Sequence, residues 1–381
     1  MKNRKRIRSG LICLGVIAVI FVGLGLVMGA SNMLNTMMHT AHDLLLNTCF
    51  FLMAVCVLTG ALGKVMIEFG AVDVLESLLK PLMKPLFNLP GVASLGAVVT
   101  FLSDNPAIIG LAKDKGFAKY FKKYQLISIN NFGTAFGMGL IVIVFMIGQG
   151  YIWEPLVGLV GAFGGCIIST RMMQQFTVRA YPSYKTEPAV EDAEDAEDAE
   201  MQQEAKSTES TFIRCLNALL DGGKGGVEVG LAIIPGVLII STFVMMLTFG
   251  PNAETGAWTG AAYEGTELLP WLGGKISVVF DALFGFKDPH LIAFPITALG
   301  AVGAAIGLVP EFINQGLVDG NAIAVFTAIG MCWSGFLSTH TAMLDSLGYR
   351  NLLGKAILSH TIGGLLAGVL AHYLYLLIMI F

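Results

Sequence analysis

Charged residues are scarce in this chain. Only 13% of its 381 residues are Asp, Glu, Lys or Arg, whereas 55% are hydrophobic and the mean hydropathy is +0.73. Because a soluble domain carries about 25% charged residues, this scarcity excludes an ordinary soluble protein and predicts an all-α integral membrane protein. Seven apolar runs have roughly the 20 residues that cross a hydrocarbon core. These runs lie at 10–30, 44–68, 125–148, 153–174, 227–249, 321–344 and 355–380.

Cysteine and phosphate-binding motifs are sparse as well. The six cysteines form neither a CxxC pair nor a metal-ligand spacing, so we interpret them as small core hydrophobes rather than as disulfides or a metal site. The chain has no glycine–lysine phosphate loop, which leaves ATP coupling within it unsupported. It also shows no recognisable set of nucleophile, base and orienting group, so a membrane enzyme is the least favoured functional class.

One apolar segment, 92–112, is interrupted by polar residues at its centre. The interruption reads LSDNPAIIG (102–110) and includes Asp104 and Asn105. An Asp at the bilayer centre costs about 2.5–3.5 kcal/mol on insertion scales, so such a residue is kept away from lipid and usually serves a function. The proline that follows disfavours helix at the residue before it, and we predict a break here. For the two polar residues, capping of a half-helix is the structural alternative.

Basic residues orient the chain, because they concentrate in cytoplasmic loops. The start, MKNRKRIR, is basic and precedes an apolar run longer than the roughly 7–15 residues of a signal peptide. This predicts an uncleaved first span and a cytoplasmic N-terminus. Lysines flank 91–112 on both sides, so a full crossing would place one basic flank outside. A hairpin that turns at 103–106 keeps all the basic loops inside, and re-entrant backbone is tolerated where protein or water surrounds it.

The second half of the chain repeats this order of elements. The segment 289–309 is apolar and is interrupted by Pro295 and by Gly300, Gly303 and Gly307. By the same topology it starts and ends on the outer face, so we predict a second hairpin that enters from the opposite side. Seven crossings and two opposed hairpins form an inverted repeat, and transporters of this plan bind their solutes at the midplane between broken helices.

The span that follows each hairpin is also interrupted by polar residues and glycines. The first contains SINNFGTAFG (128–137), and the second contains GMCWSGFLSTHTAML (330–344). Glycine loosens a helix, and Ser and Thr bond to nearby backbone, so we predict unwinding at both places. Unwound carbonyls and side-chain oxygens can hold a cation, and half-helix N-termini can hold polar or anionic groups.

The stretch KPLFNLPGVASLGAVVTFLSDNPA and the SINNFGTAFG span after it resemble the nucleoside-recognition or gate domain. That domain occurs in concentrative nucleoside transporters, in the ferrous iron transporter's membrane domain and in sporulation membrane proteins. The resemblance covers 44–150 and, more loosely, 226–345. In the nucleoside transporters, each hairpin and the broken helix after it contribute to the substrate and sodium sites. The substrate-binding residues that the resemblance implies are Asp104, Asn105, Asn131, Thr134, Trp333, Ser334, Ser338, Thr339 and His340. The ion-binding residues that it implies are Ser103, Asp104, Ser128 and Asn130.

Several of these side chains also have a structural alternative. Hydrogen bonding between helices is the alternative for Asn130 and Asn131. Packing is the alternative for Trp333, and a satisfied core histidine is the alternative for His340. The longer acidic and glutamine-bearing motifs of nucleoside transporters are not found in the chain.

These observations predict a secondary active transporter of the bacterial cytoplasmic membrane. The predicted transporter binds a small polar solute between the hairpins 91–112 and 289–309, and a nucleoside-like molecule is one hypothesis for this solute. Sodium or protons drive transport by alternating access. The competing hypothesis is a non-transporting gate-domain protein that serves assembly or envelope development. We expect no enzyme activity and no cofactor except a possible sodium ion. The expected partners are the solute and the lipid bilayer, with a homo-oligomer left open and no nucleic acid.

The predicted spans, hairpins and loops divide the chain into five parts. An acidic segment with a repeated EDA motif (186–204) is expected to be a solvated cytoplasmic linker between the two halves. The parts are an N-terminal span with an outer loop (1–43), gate-like repeat 1 (44–150), span four with the linker (151–225), gate-like repeat 2 (226–345) and a C-terminal span (346–381).

Overall fold

The computed structural model describes residues 2–103, 105–190 and 210–380, and it describes the backbone alone at 2–5 and 106. Within these ranges the chain is helical apart from turns, loops and one isolated bridge between Lys122 and Pro188. Seven helical stretches are long and apolar enough to cross a membrane, which confirms the predicted class and the seven expected spans. They are Arg6–Met28, Ala30–Glu68, Lys123–Gly148, Glu154–Ala180, Thr211–Thr248, Gly320–Ser346 and Arg350–Ile378. Most of the expected acidic linker (186–204) lies outside the described residues, because 191–209 are not described.

The described part of the first half, 2–103 and 105–190, contains ten α-helices. They are α1 (Lys2–Met28), α2 (Ala30–Asp43), α3 (Phe50–Glu68), α4 (Ala71–Leu82), α5 (Ala93–Leu102), α6 (Pro106–Lys113), α7 (Lys115–Ala118), α8 (Lys123–Thr134), α9 (Gly139–Gly148) and α10 (Glu154–Ala180). A π-helical stretch, Leu44–Cys49, joins α2 to α3, and a second one, Met83–Phe87, follows α4. A short 3-10 turn, Pro182–Lys185, follows α10.

The second half repeats the order of a long helix, short connecting helices, a broken pair and a broken span. Its helices are α11 (Thr211–Gly236), α12 (Thr242–Thr248), α13 (Leu268–Lys275), α14 (Ser277–Phe284), α15 (Ala293–Gly300), α16 (Val302–Asn314), α17 (Gly320–Cys332), α18 (Phe336–Ser346) and α19 (Leu353–Ile378). A π-helical stretch, Val237–Ser241, joins α11 to α12. Short 3-10 turns, Pro289–Ile292 and Arg350–Leu352, precede α15 and α19.

Residues 31–43 form a helix, α2, where the sequence was expected to form an outer loop. That expectation was wrong because low hydropathy hid a helical pattern of buried side chains. The buried residues are Met33, Thr36 and Thr40. Thr40 Oγ1 accepts a hydrogen bond from the Tyr263 backbone N–H (2.8 Å), and the Tyr263 hydroxyl donates to the Asp43 carboxylate. Burial, reinforced by Asp43, raises the pKa of Tyr263, so this tyrosine stays a hydrogen-bond donor at neutral pH.

The helices α5 and α6 pack against each other. Hydrogen bonds also join the two chain segments that flank the pair, at the ends away from the break. Asn88, just before α5, donates through Nδ2 to the Tyr124 hydroxyl (3.1 Å), and Gln125 Nε2 donates to the Asn88 carbonyl (2.7 Å). The break between the helices falls within 103–106, as predicted. Pro106 is the first residue of α6, where its missing N–H removes no helix bond. The chain after α6 therefore lies close to the chain before α5. That this pair enters and leaves a bilayer on one side stays a prediction.

The helices α15 and α16 form the corresponding pair in the second half. The Phe249 ring contacts both outer ends of the pair, with centroid distances of 6.2 Å to His290 and 5.9 Å to Phe312. The break lies at Ala301, whose backbone is extended. Pro295 was expected to interrupt the segment, but it lies in the first turn of α15, where the backbone N–H groups have no partner within the helix. The segment therefore breaks six residues after its proline, beside Gly300.

Glycines bring α3 and α11 into close contact. Gly222, Gly226 and Gly230 recur at every fourth position of α11 and so lie on one face. A Cβ atom on Gly226 would overlap the Cys56 carbonyl of α3, and a Cβ on Gly230 would lie 2.6 Å from the Met53 side chain. Small residues at such spacing let membrane helices approach until their backbones touch. This crossing stands beside the α5–α6 pair and forms one wall of the site described next.

Candidate functional site

Three helix breaks meet at the Asn105 side chain. Asn105 lies in the break between α5 and α6, and its Nδ2 donates to Ser334 Oγ (3.1 Å) in the break between α17 and α18. A Cβ atom on Gly137, in the break between α8 and α9, would overlap the Asn105 amide. A Cβ on Gly335 would lie 2.5 Å from Asn105 Nδ2. The Asn105 side chain therefore fits because both glycines lack a side chain, and it links the two halves of the chain.

The two broken spans unwind over shorter stretches than the sequence predicts. The helix α8 continues through Thr134, and the break is confined to 135–138, where Met138 has a φ of 54°. In the second half the break is confined to 333–335, where Gly335 has a φ of 58°. The predicted unwinding thus occurs in both spans, but most of the polar residues around it stay in helix.

A cavity of about 400 Å³ opens beside the tip of the α5–α6 pair. Ser103 lines it from the tip, and α3, α9 and α11 supply the other walls. Three charged side chains also line it: Lys64 of α3 and Asp221 and Glu228 of α11. Asp221 pairs with Lys224 at 3.3 Å. Ligand pockets commonly measure roughly 300–1,000 Å³, so the cavity is large enough for a small organic solute.

Asn131 joins three helices. Its Nδ2 lies within hydrogen-bond distance of Ser169 Oγ on α10 (2.9 Å), Ser359 Oγ on α19 (2.9 Å) and the Ala356 carbonyl on α19 (3.1 Å). All four residues are buried. Hydrogen bonds of this kind hold membrane helices together, and here they fix α8 against α10 and α19.

The hydroxyl groups of α8 bond to nearby backbone. Ser128 Oγ donates to the Gln125 carbonyl (2.7 Å) and accepts from Gln174 Nε2 (3.2 Å). Thr134 Oγ1 donates to the Asn130 carbonyl one turn earlier (2.7 Å). Both hydroxyls therefore have partners within the protein.

Asn130 and His340 differ from these hydroxyls, because their buried polar atoms lack hydrogen-bond partners. Neither side-chain polar atom of Asn130 has one, and neither does His340 Nε2. The other ring nitrogen of His340 lies 2.5 Å from the Phe336 carbonyl oxygen, and the His340 ring centre lies 4.6 Å from that of His360. Each unsatisfied buried group in a native structure calls for an explanation, such as water, an ion or a functional role.

The remaining predicted site residues surround the break between α17 and α18. Trp333 is buried, and its Nε1 donates to the His360 carbonyl (3.2 Å). Thr339 Oγ1 lies on the same side of Gly335 as the Asn105 amide. Ser338 is exposed, and its hydroxyl donates to the Gly335 carbonyl (3.1 Å).

Asp104 lies outside the described residues, so its predicted roles in solute and ion binding stay predictions. Over 2–103, 105–190 and 210–380, no group of three or more His, Cys, Asp or Glu side chains could hold a metal ion. The polar groups that meet at the breaks are amides and hydroxyls. Such groups suit a hydrogen-bonded solute or a hard monovalent cation better than a transition metal.

Sequence reasoning missed several residues around the site. Ser169 and Ser359 stand in uninterrupted spans, where no local signal marks a serine that will meet Asn131. Lys64 and Asp221 line the cavity beside Ser103, but they are far from Ser103 in the sequence. Only the crossing of α3 and α11 brings them there. The spacing of Gly222, Gly226 and Gly230 marks a face of α11 suited to close packing, but it does not identify α3 as the partner.

Comparison with known proteins locates the resemblance. Residues 14–150 match the family model described as "Gate: Nucleoside recognition". An uncharacterized protein of Alkalihalophilus pseudofirmus is 30% identical over 97 residues, which make up 25% of this chain and 21% of that protein. The chain thus spans about a fifth of the length of this curated relative.

Solved structures extend the comparison to almost the whole chain. The concentrative nucleoside transporter CNTnw in an inward-facing substrate-bound state gives a TM-score of 0.55 at 14% identity, over 98% of this chain and 85% of that one. A CNTnw variant in an outward-facing state gives 0.52 at 14% identity, over 99% and 85%. A variant in an intermediate state gives 0.53 at 12% identity, over 97% and 85%. Residues 14–150 therefore match the nucleoside-recognition Gate family, and the whole chain has the fold of the concentrative nucleoside transporter CNTnw.

Proposed function

We propose that this chain is a secondary active transporter that moves a small polar solute across a bacterial cytoplasmic membrane. A nucleoside-like molecule is the first candidate solute, and an inward gradient of sodium or protons drives the cycle by alternating access. The observation that carries the proposal is the meeting of three helix breaks at Asn105, next to a cavity that reaches Ser103. Irregular backbone at membrane depth is tolerated where it lines a cavity or is enclosed by protein, and transporters place their sites there.

The arrangement gives each element a part in this proposal. The cavity beside the α5–α6 tip holds the solute, and Ser103 is the hydrogen-bonding group of the tip that lines it. A binding role for Asp104 is proposed from the sequence alone. Asn105 ties that tip to Ser334, so movement of the first pair is transmitted to the second half of the chain. The opposite charges of Lys64 and Glu228 favour a solute with both donors and acceptors.

Uptake into proteoliposomes tests the proposal. The purified protein is reconstituted and exposed to a panel of radiolabelled nucleosides and nucleobases, with a sodium gradient, a pH gradient or neither. We expect saturable uptake of at least one solute that depends on a gradient. If the protein is folded and inserted but no panel member enters above empty liposomes, a nucleoside-like substrate is ruled out; a non-transporting gate-domain protein would give the same result with any solute.

The Asn105→Ala substitution tests the site. Loss of its bond to Ser334 should reduce uptake by about tenfold, the effect of roughly 1.4 kcal/mol. Asn351→Ala serves as the control, because Asn351 is an exposed asparagine whose side chain bonds to the Tyr181 hydroxyl at the end of α10. Equal uptake by the Asn105→Ala and Asn351→Ala proteins would remove Asn105 from the site.

A further inference from the structure

His340 presents a buried lone pair that no donor meets. Its Nδ1 lies 2.5 Å from the Phe336 carbonyl oxygen. A carbonyl oxygen only accepts hydrogen bonds, so Nδ1 carries the hydrogen and Nε2 of the neutral ring is bare. Nε2 is fully buried and has no partner. Leaving such an acceptor unpaired costs about 1–3 kcal/mol, so its place in the core needs a reason other than stability.

The neighbouring His360 lacks this feature. Its Nε2 donates to the Cys332 carbonyl, and its Nδ1 accepts from Ser169 Oγ (2.9 Å). Both ring nitrogens are therefore satisfied in the neutral form. A further proton on His360 would displace the hydrogen that Ser169 donates to Nδ1. Of the two adjacent rings, His340 is therefore the one with an unoccupied acceptor nitrogen, Nε2.

The Asn131 amide lies in the same layer of the bundle as His340. Ile127 of α8 and Leu344 of α18 belong to one buried cluster. Asn131 lies one helical turn from Ile127, and His340 lies one turn from Leu344, in both cases toward the helix breaks. Asn131 is also joined to the histidine pair through Ser169 (2.9 Å). The Asn131 Oδ1 atom is buried without a partner, so this layer holds unpaired acceptors on two facing helices.

We propose that His340 Nε2 is a proton-binding site and that the Asn131 amide oxygen accepts the N–H that the proton creates. In this step a hydronium ion transfers a proton to Nε2: an N–H bond forms, an O–H bond breaks and a water molecule leaves. One event thereby gives partners to two unpaired acceptors. The inference rests on the proposed transport function in one respect, since it makes the proton the coupling ion.

The charged and titratable groups around His340 leave the bound proton free to depart. On the elements packed against this layer, the described side chains of that kind, besides His340, are Asp345 on α18, Lys355, His360, His372, Tyr373 and Tyr375 on α19, Lys123 and Tyr124 on α8, Lys113 on α6, Glu154, Cys166, Arg171 and Arg179 on α10, and Cys332 on α17. Two of them are carboxylates. Glu154 lies about four helical turns from Ser169 along α10, and Asp345 is bound to Arg350 at 3.0 Å. The proton on His340 is then held by amide and carbonyl dipoles, which stabilise it without trapping it as a buried ion pair would.

Nitrogen NMR of the histidines tests this site without any solute. The protein has six histidines, so ¹⁵N-histidine labelling in nanodiscs gives few signals, and neutral and protonated rings have distinct shifts. We expect the ring signal that His340→Gln removes to change from that of a neutral ring with a bare Nε2 to that of an imidazolium between about pH 9 and about pH 4. His360→Gln should remove a signal that stays neutral over most of this range. A His340 signal that stays neutral throughout would overturn the proposal.

The titration is recorded on the wild-type protein, so a variant that does not fold affects only the assignment of the signal. His340→Asn is the second variant for that assignment.

An uptake experiment then tests whether protonation of His340 is coupled to transport. A pH gradient should accelerate uptake by the wild type and by His42→Gln, whose histidine is exposed and lies in α2. It should not change uptake by His340→Gln. Transport driven by sodium alone would refute proton coupling while the transport function stands. A titrating His340 without any uptake would leave the site standing and refute its role in transport.

Discussion

Asn130 and Asn131 are neighbours of the same chemical type, but the structure gives them opposite surroundings. The Asn131 Nδ2 has three acceptors within hydrogen-bond distance, on α10 and α19. The Asn130 side chain is equally buried and has no partner for either polar atom. Because successive residues of an α-helix point about 100° apart, one amide faces the bundle of α10 and α19 and the other does not. The first therefore contributes stability and the second lowers it.

Alanine substitution at the two positions should separate these roles. Asn131→Ala removes bonds between helices and leaves two serines with fewer partners, so we expect a loss of about 1–2 kcal/mol. Asn130→Ala removes a buried amide without partners, so its stability should equal or exceed that of the wild type. The measurement is unfolding in detergent followed by tryptophan fluorescence. A larger loss for Asn130→Ala would mean that its amide is satisfied in the membrane-embedded protein.

At this scale the sequence predicted which residues are polar and buried, but not what they meet. The proline after Asn105 predicted the break, and the family resemblance implied a binding role for Asn105 itself. The structure places its side chain where three breaks converge. The partners of Asn131 are Ser169 and Ser359, which lie 38 and 228 residues away. Such contacts depend on how helices pack, and no local pattern encodes them.

The crossing of α3 and α11 determines where the cavity beside the α5–α6 tip can open. Adjacent glycines on α11 differ in what they face. A Cβ on Gly226 would overlap the Cys56 carbonyl and approach Val57, whereas a Cβ on Gly225 would meet no atom within 4 Å. The backbone of α3 cannot move away as a flexible side chain could. The contact is therefore sensitive to a single methyl group on one glycine and insensitive to it on the next.

Gly226→Ala should therefore be destabilised by about 1–3 kcal/mol, the usual cost of overpacking. Gly225→Ala is the matched control, and it should be unchanged or gain up to about 1 kcal/mol, because alanine favours helix. Urea unfolding in detergent micelles gives both values. Equal stability of the two variants would show that α3 and α11 do not touch at Cys56 in the protein.

Elements were predictable where a local signal marks them. The break at 103–106 follows from a proline within an apolar run, and the break at 333–335 follows from Gly335. By contrast, α2 was expected to be a loop. Its side chains bond to residues 258–263, more than 200 residues away in the sequence, and no local pattern shows such contacts. The extent of unwinding was also overestimated, since the Ser and Thr side chains bond to the backbone within an intact helix.

At the scale of the whole molecule, each broken pair of helices ends close to where it begins. Asn88 joins the two ends of the first pair through Tyr124 and Gln125, and Phe249 contacts both ends of the second. A segment whose flanking residues are bonded to each other is expected to start and end on the same face of a bilayer. The predicted inverted repeat, and the proposed alternating access between two opposed pairs, depend on this geometry.

Thiol labelling from each side of the membrane tests that geometry. Cys13 and Cys215 are first replaced by serine, because the other four cysteines are buried. Lys84→Cys and Lys115→Cys then place exposed thiols on either side of the first pair, and Glu254→Cys places one in the loop expected outside. Since lysine-rich loops stay in the cytoplasm, an impermeant maleimide should label the first two in inside-out vesicles and the third in right-side-out vesicles. Labelling of Lys84→Cys and Lys115→Cys from opposite sides would make the α5–α6 segment a full crossing; every later loop would then change sides, and the two halves would no longer be inverted copies.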